Sequence, residues 1–311
     1  MGPPIRGLAP RTDVGDAMVE VRAPAKINLF LRVLAQETSG YHQLETLFCS
    51  VAFGDVVTLE HGPPGIVVET SGLTVGPPEE NLVFKAAQAF FDASGIDGGV
   101  RIRLEKQTPL GAGLGGGSSD AAATLRGLRG LFPDALDPAR LLDLASGLGS
   151  DVPYFLSPSP LTLAWGRGER MLPLEPLPSA SVLLALSPLS VSTPEAFGAL
   201  SRERRSRSAG SGPPKPGILD HEELSSWSGI RLLAENDFEP VVFREFPDLA
   251  RLREAFEGTA TVLSLLSGSG SAVFGVYEDV VAGQVARDAL ASEFPDTRFV
   301  LTRTEEQTRK W

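Results

Sequence analysis

The sequence predicts an α+β protein built as two domains, residues 19–173 and 174–311. Three observations carry this expectation. At 311 residues the chain exceeds the size at which single cores usually split. Its first half mixes segments of two-residue apolar period with amphipathic helical segments, which implies a mixed, largely antiparallel sheet with helices on one side. After Pro173 the pattern restarts with a shorter strand and helix series, as in a small α+β unit.

Residues 1–18, MGPPIRGLAPRTDVGDAM, have no apolar period and read as a disordered extension, with Met18 as an alternative start. Val19–Leu34 alternates as a strand pair or one long strand, with Pro24 making its middle an edge or a break. Val51–Glu60 and Gly65–Thr70 are further strands around an HGPPG turn. Asn81–Ser94 places Leu82, Ala86, Ala89 and Phe90 on one helical face. Val100–Leu104 is a strand, Asp120–Leu131 a helix, and Pro138–Gly147 a helix ending at glycine. In the second half, Ser181–Leu186 is a strand and Ser192–Leu200 a helix with Pro194 in its first turn. Asp248–Glu257 is a helix, Ala272–Tyr277 a strand, Asp279–Phe294 a helix and Arg298–Thr302 the last strand. Residues 201–217, SRERRSRSAGSGPPKPG, are of low complexity and read as a disordered loop.

Composition narrows the function. Apolar content of 42% and charged content of 22% are those of an ordinary globule. No apolar run is long enough to cross a membrane. A net charge of −11 repels a polyphosphate backbone, so nucleic acid is not an expected partner. Cys49 is the only cysteine, so no intrachain disulfide forms, compatible with a cytoplasmic protein. A monomer and a homodimer both remain open.

The chemistry is concentrated at Pro109–Ala121, PLGAGLGGGSSDA, with five glycines between positions 111 and 117. Glycine lets the backbone take φ > 0 and lie against a ligand. The helix that follows offers unpaired N–H groups and partial positive charge. Together they make a cradle for phosphate. A flexible linker would not open into a helix in this way. A Walker A loop needs Lys then Ser/Thr, but Ser118 follows Gly117 and no lysine occurs between Lys106 and Lys215. Gly111, Gly113 and Gly116 satisfy G-x-G-x-x-G, but the half-exposed strand before them, ending in Gln107-Thr108-Pro109, is the wrong setting for a dinucleotide fold.

The segment resembles the phosphate loop of the GHMP kinases. APAKINLFLRVL, SGYHQLETLF, GLGGGSSDAA, GSDVPYFL and SGSGSAVFG, spread from Ala23 to Gly275, are similar to the 4-diphosphocytidyl-2-C-methyl-D-erythritol kinases within that superfamily, in the same order. The resemblance implies a two-domain GHMP-kinase fold, with an N-terminal mixed sheet like domain 2 of ribosomal protein S5 and a C-terminal ferredoxin-like domain. It implies ATP and Mg²⁺ as co-substrate and cofactor. It also implies phosphorylation of the 2-hydroxyl of a cytidine-diphosphate-linked methylerythritol in non-mevalonate isoprenoid biosynthesis. Rival readings are a homoserine- or mevalonate-kinase-like enzyme, and a non-catalytic nucleotide-binding protein on the same fold.

The resemblance also implies site residues. Lys26 stands beside the acceptor hydroxyl with Asn28 next to it on the same strand face. Asp151 is the proposed base, or an orienting carboxylate; read alone it is a helix cap. Pro109, Gly111, Gly113, Leu114, Gly115, Gly116, Gly117, Ser118 and Ser119 hold the triphosphate, and a side chain on Gly115 would stand against it. Ser118 or Ser119 offers a hydroxyl to phosphate or to Mg²⁺, unless both simply cap the helix. Asp120 is expected to face away from the γ-phosphate. Lys106 approaches the nucleotide or lies on the surface. Asn81, Leu82 and Val83 line the adenine pocket, or form an ordinary helix start with Asn81 as cap. Tyr41 stacks on cytosine, His42 bonds its edge, and Phe197 is the second aromatic of the sandwich. Ser267–Ser271, SGSGS, is a turn that helps close the site.

Overall fold

The computed structural model describes residues 18–37, 40–207 and 219–306. The extension expected at 1–18 thus lies outside the described residues except for Met18. The first half contains β1 (Met18–Gln36), β2 (His42–His61), β3 (Gly65–Gly72), α1 (Leu82–Ser94), β4 (Gly99–Lys106) and α2 (Gly116–Leu131). It continues with α3 (Pro138–Leu148), α4 (Val152–Leu156), β5 (Leu161–Gly166) and β6 (Arg170–Leu174). The sheet runs β3-β4-β2-β5-β6, with β1 also paired to β2. Every pairing is antiparallel except β3 with β4. That exception has a cause: α1 lies between β3 and β4 in the chain and provides the crossover that parallel neighbours need.

The second half contains β7 (Ser181–Leu186), α5 (Thr193–Arg207), α6 (His221–Leu224), α7 (Trp227–Leu233), α8 (Glu239–Glu245) and α9 (Pro247–Glu257). It ends with β8 (Leu263–Leu266), β9 (Val273–Tyr277), α10 (Val280–Glu293) and β10 (Arg298–Arg303). Its antiparallel sheet has the order β10-β7-β9-β8. The chain order is that of a β-α-β-β-α-β unit. Among the described residues no helix is long and apolar enough to cross a membrane.

The alternation of β1 divides its side chains between two environments. Ala25, Ile27 and Leu29 are fully buried in a cluster with Val182, Leu184 and Phe274 of the second sheet. Ile27 and Leu29 each contribute about 1.5–3 kcal/mol by burial. Leu59, Ile102, Val83 and Phe90 pack with Leu125 and Leu128 of α2 in a separate cluster. The first sheet therefore lies between its own helices and the second sheet. Lys26 and Asn28 fall on the remaining face of β1, where the glycine loop lies.

Several expectations change. The strand expected from Val51 starts at His42, and β1 is one strand with a register shift at Pro24/Ala25. The loop expected at 201–217 begins as helix: α5 continues to Arg207, and 208–218 lie outside the described residues. Salt bridges from Arg204 to Asp237 and from Glu203 to Arg244 carry α5 beyond its apolar turns. The elements β5, β6, α6, α7, α8 and β8 are additional to those the sequence predicts, whereas α4 follows Asp151 as its cap reading implied.

Candidate active site

The glycine loop joins β4 to α2 and touches both halves of the molecule. Gly111, Gly113 and Gly115 have φ of +66°, +75° and +69°. At Gly113 a methyl group would fall on the Ser267 carbonyl oxygen, so this glycine is required by the close approach of the loop after β8. That loop is fastened from both sides. Ser267 Oγ donates to Gly113 O at 3.0 Å, and Ala272 N–H donates to Ala112 O at 3.1 Å. SGSGS is therefore a strap on the phosphate loop as well as a turn. Asn236, which the sequence did not single out, donates through Nδ2 to Leu266 O and Gly268 O, both at 2.8 Å.

Helix α2 starts at Gly116, four residues earlier than predicted, because Gly115 takes the left-handed cap conformation. Ser119 N–H bonds to Gly115 O, and no side chain caps the helix. The serine-cap alternative is thus set aside, and the N–H groups of Gly116, Gly117 and Ser118 are the unpaired first-turn donors of the helix. The Leu114 side chain is core, and its carbonyl accepts from Lys26 N–H at 2.9 Å. One expectation is overturned at Gly115. An added methyl would meet the Phe155 ring at 3.0 Å and Lys26 Cγ at 3.1 Å, so a side chain there pushes into the protein and onto Lys26.

Lys26 Nζ lies 2.7 Å from Asn28 Oδ1 and 3.9 Å from Asp151 Oδ2. Asn28 Nδ2 donates to Thr46 Oγ1 at 2.8 Å, and Thr46 Oγ1 donates to Phe30 O at 2.7 Å. Both ends of the Asn28 amide are thus used inside the protein. Beside the substrate contact expected of it, Asn28 thus holds the ammonium of Lys26. Burial lowers the Lys26 pKa from that of an ordinary lysine, and the Asp151 charge partly restores it. Asp151 precedes α4, but its side chain makes no capping bond, so its carboxylate is left for the site.

Lys106 departs from both sequence readings. It is buried, with Nζ 2.6 Å from Asp55 Oδ2 and 2.7 Å from Asp120 Oδ2. It therefore lies beneath the loop as the centre of an ion triad and not on the surface or against a nucleotide. Asp55 Oδ1 also accepts from Gln107 N–H at 2.6 Å and Thr108 N–H at 2.8 Å, fixing the exit of β4. Asp120 faces inward, as expected. Its pKa is pushed up to about 7, first by burial and then by the Asp55 charge, against the pull of Lys106.

Asn81, Leu82 and Val83 separate into different roles. Asn81 Oδ1 accepts from Val83 N–H at 3.0 Å, the helix cap of the alternative reading, and the Val83 side chain is fully buried in the core and not presented to an adenine. Leu82 remains beside the loop, 3.5 Å from where a methyl on Gly117 would stand.

A cleft of about 1070 Å³ is lined by Tyr41, His42, Ser150, Arg167, Thr193 and Phe197, among others. His42 and Phe197 stack on each other, with centroids 4.7 Å apart and planes 20° from parallel. No base fits between these two rings, so Phe197 is not a bare platform: His42 covers one of its faces. His42 Nε2 is 2.7 Å from Ser201 Oγ. Burial, then the charge of Arg204, lowers the His42 pKa, which keeps the ring neutral at neutral pH.

The residues fit a nucleotide polyphosphate with a divalent cation carried on it. Among the described residues no group of three or more His, Cys, Asp and Glu side chains could hold a metal, so the cation would not have a protein cage. The Ser119 and Thr108 hydroxyls are buried with no hydrogen-bond partner, and Ser118 is half-buried at the same helix start. A mobile phosphate group suits unpaired hydroxyls and N–H donors.

A glycine cradle at a helix start, with an ammonium and a carboxylate beside it at the end of a cleft, defines a small-molecule phosphotransferase. Comparison with known proteins agrees with that class. Residues 81–158 match the model of the GHMP kinases N terminal domain, and residues 220–296 match that of the GHMP kinases C terminal domain. The chain is 36% identical over 277 residues to a 4-diphosphocytidyl-2-C-methyl-D-erythritol kinase of Chlorobium phaeobacteroides, covering 89% of this chain and 95% of that one. It is 37% identical over 288 residues to the protein of that name from Moorella thermoacetica, covering 91% and 97%. A crystal structure of 4-(cytidine 5'-diphospho)-2C-methyl-D-erythritol kinase superposes with a TM-score of 0.72 at 35% identity, over 92% of this chain and 99% of that one. The homoserine kinase of Cytophaga hutchinsonii shares the fold, at a TM-score of 0.69 and 18% identity over 97% and 98% of the two chains. The chain belongs to the 4-diphosphocytidyl-2-C-methyl-D-erythritol kinase family of the GHMP kinases.

Proposed function

We propose that this chain transfers the γ-phosphoryl group of ATP to the 2-hydroxyl of 4-diphosphocytidyl-2-C-methyl-D-erythritol, giving the 2-phosphate and ADP on the non-mevalonate route to isoprenoid precursors. The observation that carries the reading is the Lys26–Asp151 pair: Lys26 is bonded through its N–H to Leu114 of the glycine loop, and Asp151 follows Ser150 of the aromatic-lined cleft. The first-turn N–H groups of α2 hold the phosphates, and a divalent cation on those phosphates, with Ser118 or Ser119 as its hydroxyl neighbour, would neutralise charge in transfer. Lys26 stabilises the transferring group, and Asn28 fixes its ammonium. Asp151 accepts a hydrogen bond from the acceptor hydroxyl. As the bond from that oxygen to the γ-phosphorus forms and the bond to the β–γ bridging oxygen breaks, the hydroxyl proton passes to the carboxylate. Phosphoryl transfer is largely dissociative, so orientation by Asp151 matters more than early proton removal.

Tyr41, His42 and Phe197 favour a base-bearing acceptor over homoserine or mevalonate, which offer no ring to an aromatic surface. A cytoplasmic location belongs to the same proposal. ADP release measured over a panel of acceptors tests it. Turnover is expected with the cytidyl substrate and not with homoserine or mevalonate; turnover on either of those in place of the cytidyl alcohol would reject it.

A further inference from the structure

Lys26 is closed in by the strap after β8. A methyl on Gly268 would lie 3.4 Å from Lys26 Nζ and 3.2 Å from the Gly113 carbonyl oxygen. Gly268 has φ of +57°, so the strap turns where it meets both the ammonium and the phosphate loop. Asn236, between α7 and α8, holds that turn. Its Nδ2 donates to Leu266 O and Gly268 O, one carbonyl on each side of the Ser267 whose hydroxyl bonds Gly113 O. Carbonyls only accept, so these bonds fix which way the amide faces. Asn236 Oδ1 takes the remaining bond, from Phe238 N–H at 2.9 Å. Asn236 is buried, and loss of its amide would leave two strap carbonyls short of donors.

The same residue is tied to the strand that carries Lys26. Leu31 N–H donates to Glu235 O at 2.8 Å, and Asp237 N–H donates to Leu31 O at 3.0 Å. The segment thus pairs with β1 about Asn236. Asp237 Oδ2 adds a bond from Val33 N–H at 2.7 Å. Asn236 therefore stands on β1 and grips the strap, and the strap returns to Lys26. Its neighbours do other work. Glu239 accepts Leu266 N–H at 2.8 Å and so grips the strap two residues before Gly268. Phe238 meets Phe197 of the acceptor cleft edge-on, with centroids 4.8 Å apart.

We propose that Asn236 is a positioning residue for the transfer: by bridging β1 and the strap it sets Gly268 against Gly113 and the Lys26 ammonium, and so fixes that ammonium relative to the bound phosphates. The inference rests on the reading of this chain as an ATP-dependent kinase that uses Lys26. Misplacing a reacting group by about 1 Å can cost about 10²-fold in rate, even when the change lies away from the chemistry. With the strap loosened, Lys26 keeps its charge and loses its place, and the phosphate loop loses the contact for which Gly113 is shaped.

The test measures kcat and the KM values for ATP and for the cytidyl acceptor, per folded molecule and below each melting temperature. It compares the intact chain with Asn236→Ser, Asn236→Asp, Phe238→Leu and Gly268→Ala. Asn236→Asp keeps the size and the Phe238 bond but replaces two donor hydrogens by at most one. Both Asn236 variants should lower kcat about 10- to 100-fold and raise the KM for ATP about three- to tenfold, with the acceptor KM unchanged. Phe238→Leu, in the same segment, should show the opposite split: a raised acceptor KM with kcat and the KM for ATP retained. Gly268→Ala should repeat the Asn236 pattern, and its combination with Asn236→Ser should lose less than the sum of the two in free energy. A lower melting temperature with kcat and the KM for ATP retained would make Asn236 structural only and overturn the proposal. The same losses in Asn236→Ser and Phe238→Leu, strict additivity with Gly268→Ala, or failure of both Asn236 variants to fold would overturn it too. An intact chain that turns over the cytidyl acceptor, matched by its Asn236 variants, sinks Asn236 alone. An intact chain that does not turn it over sinks the functional reading with it.

Discussion

Two lysines flank the glycine loop, both nearly inaccessible to solvent, and they are partnered in opposite ways. Lys106 sits between two buried carboxylates at 2.6 and 2.7 Å. Lys26 has a neutral amide at 2.7 Å and a single carboxylate at 3.9 Å, whose side chain is 30% exposed. The first charge is over-neutralised from within and ties β2, β4 and α2 together. The second is under-neutralised, and its one carboxylate partner is part-exposed. Burying a cation is costly, and one left short of anions is suited to an anion that arrives from outside. The difference teaches that partners, more than burial, separate the lysine of the scaffold from the lysine of the chemistry.

The comparison can be broken most forcefully at Lys106. Lys106→Met leaves Asp55 and Asp120 buried without their cation, which should cost about 3–5 kcal/mol of stability in urea unfolding. Wild-type stability would remove the structural role. Gly113→Ala strikes the strap between the two halves. The left-handed conformation alone costs about 1–3 kcal/mol, and the new methyl must displace the Ser267 carbonyl. We expect a lower melting temperature together with a raised KM for ATP; a change in neither would show that the strap is slack. Phe197→Ala acts only on the acceptor side. It should cost roughly 1–3 kcal/mol of acceptor binding, read from the Kd, with the KM for ATP constant. Equal loss of both affinities would mean a general packing defect.

The smallest effect expected is a pH shift. The Lys26 pKa lies below 10.5 because burial disfavours the ammonium, with Asp151 opposing. The alkaline fall of kcat should therefore begin below the ordinary lysine range. In Asp151→Asn the opposing charge is gone, so the fall should move to lower pH. An unmoved limb, measured on the residual activity, would uncouple the two residues.

The phosphate loop was legible because one contiguous segment contains its determinants: glycines, serines and the helix after them. The Asn81 cap of α1 and most strands were legible for the same local reason, whereas the caps read at Ser118, Ser119 and Asp151 make no capping bond. Lys26, Asp151, Tyr41, His42 and Phe197 were found through family resemblance, and their assembly depends on pairing between distant segments. Lys106 shows the limit. Its partner Asp55 lies 51 positions away, and nothing in EKQTP distinguishes a buried triad from a surface lysine. Asn28 was placed at the acceptor by the same resemblance, but its bonds to Lys26 and to Thr46 of the paired strand were not legible in the sequence. Asn236 gave no local signal, since it acts through a bridge set by tertiary packing.

The most direct measurement is of Lys26→Met, taking kcat and melting temperature on the same preparation. Removal of a charge that stabilises the transferring phosphoryl group should lower kcat about 10²–10³-fold. The melting temperature should hold or rise, because a buried ammonium is replaced by an apolar side chain and Asp151 keeps access to water. A folded variant with near wild-type kcat would contradict the account, as would a collapse in stability with turnover per folded molecule retained.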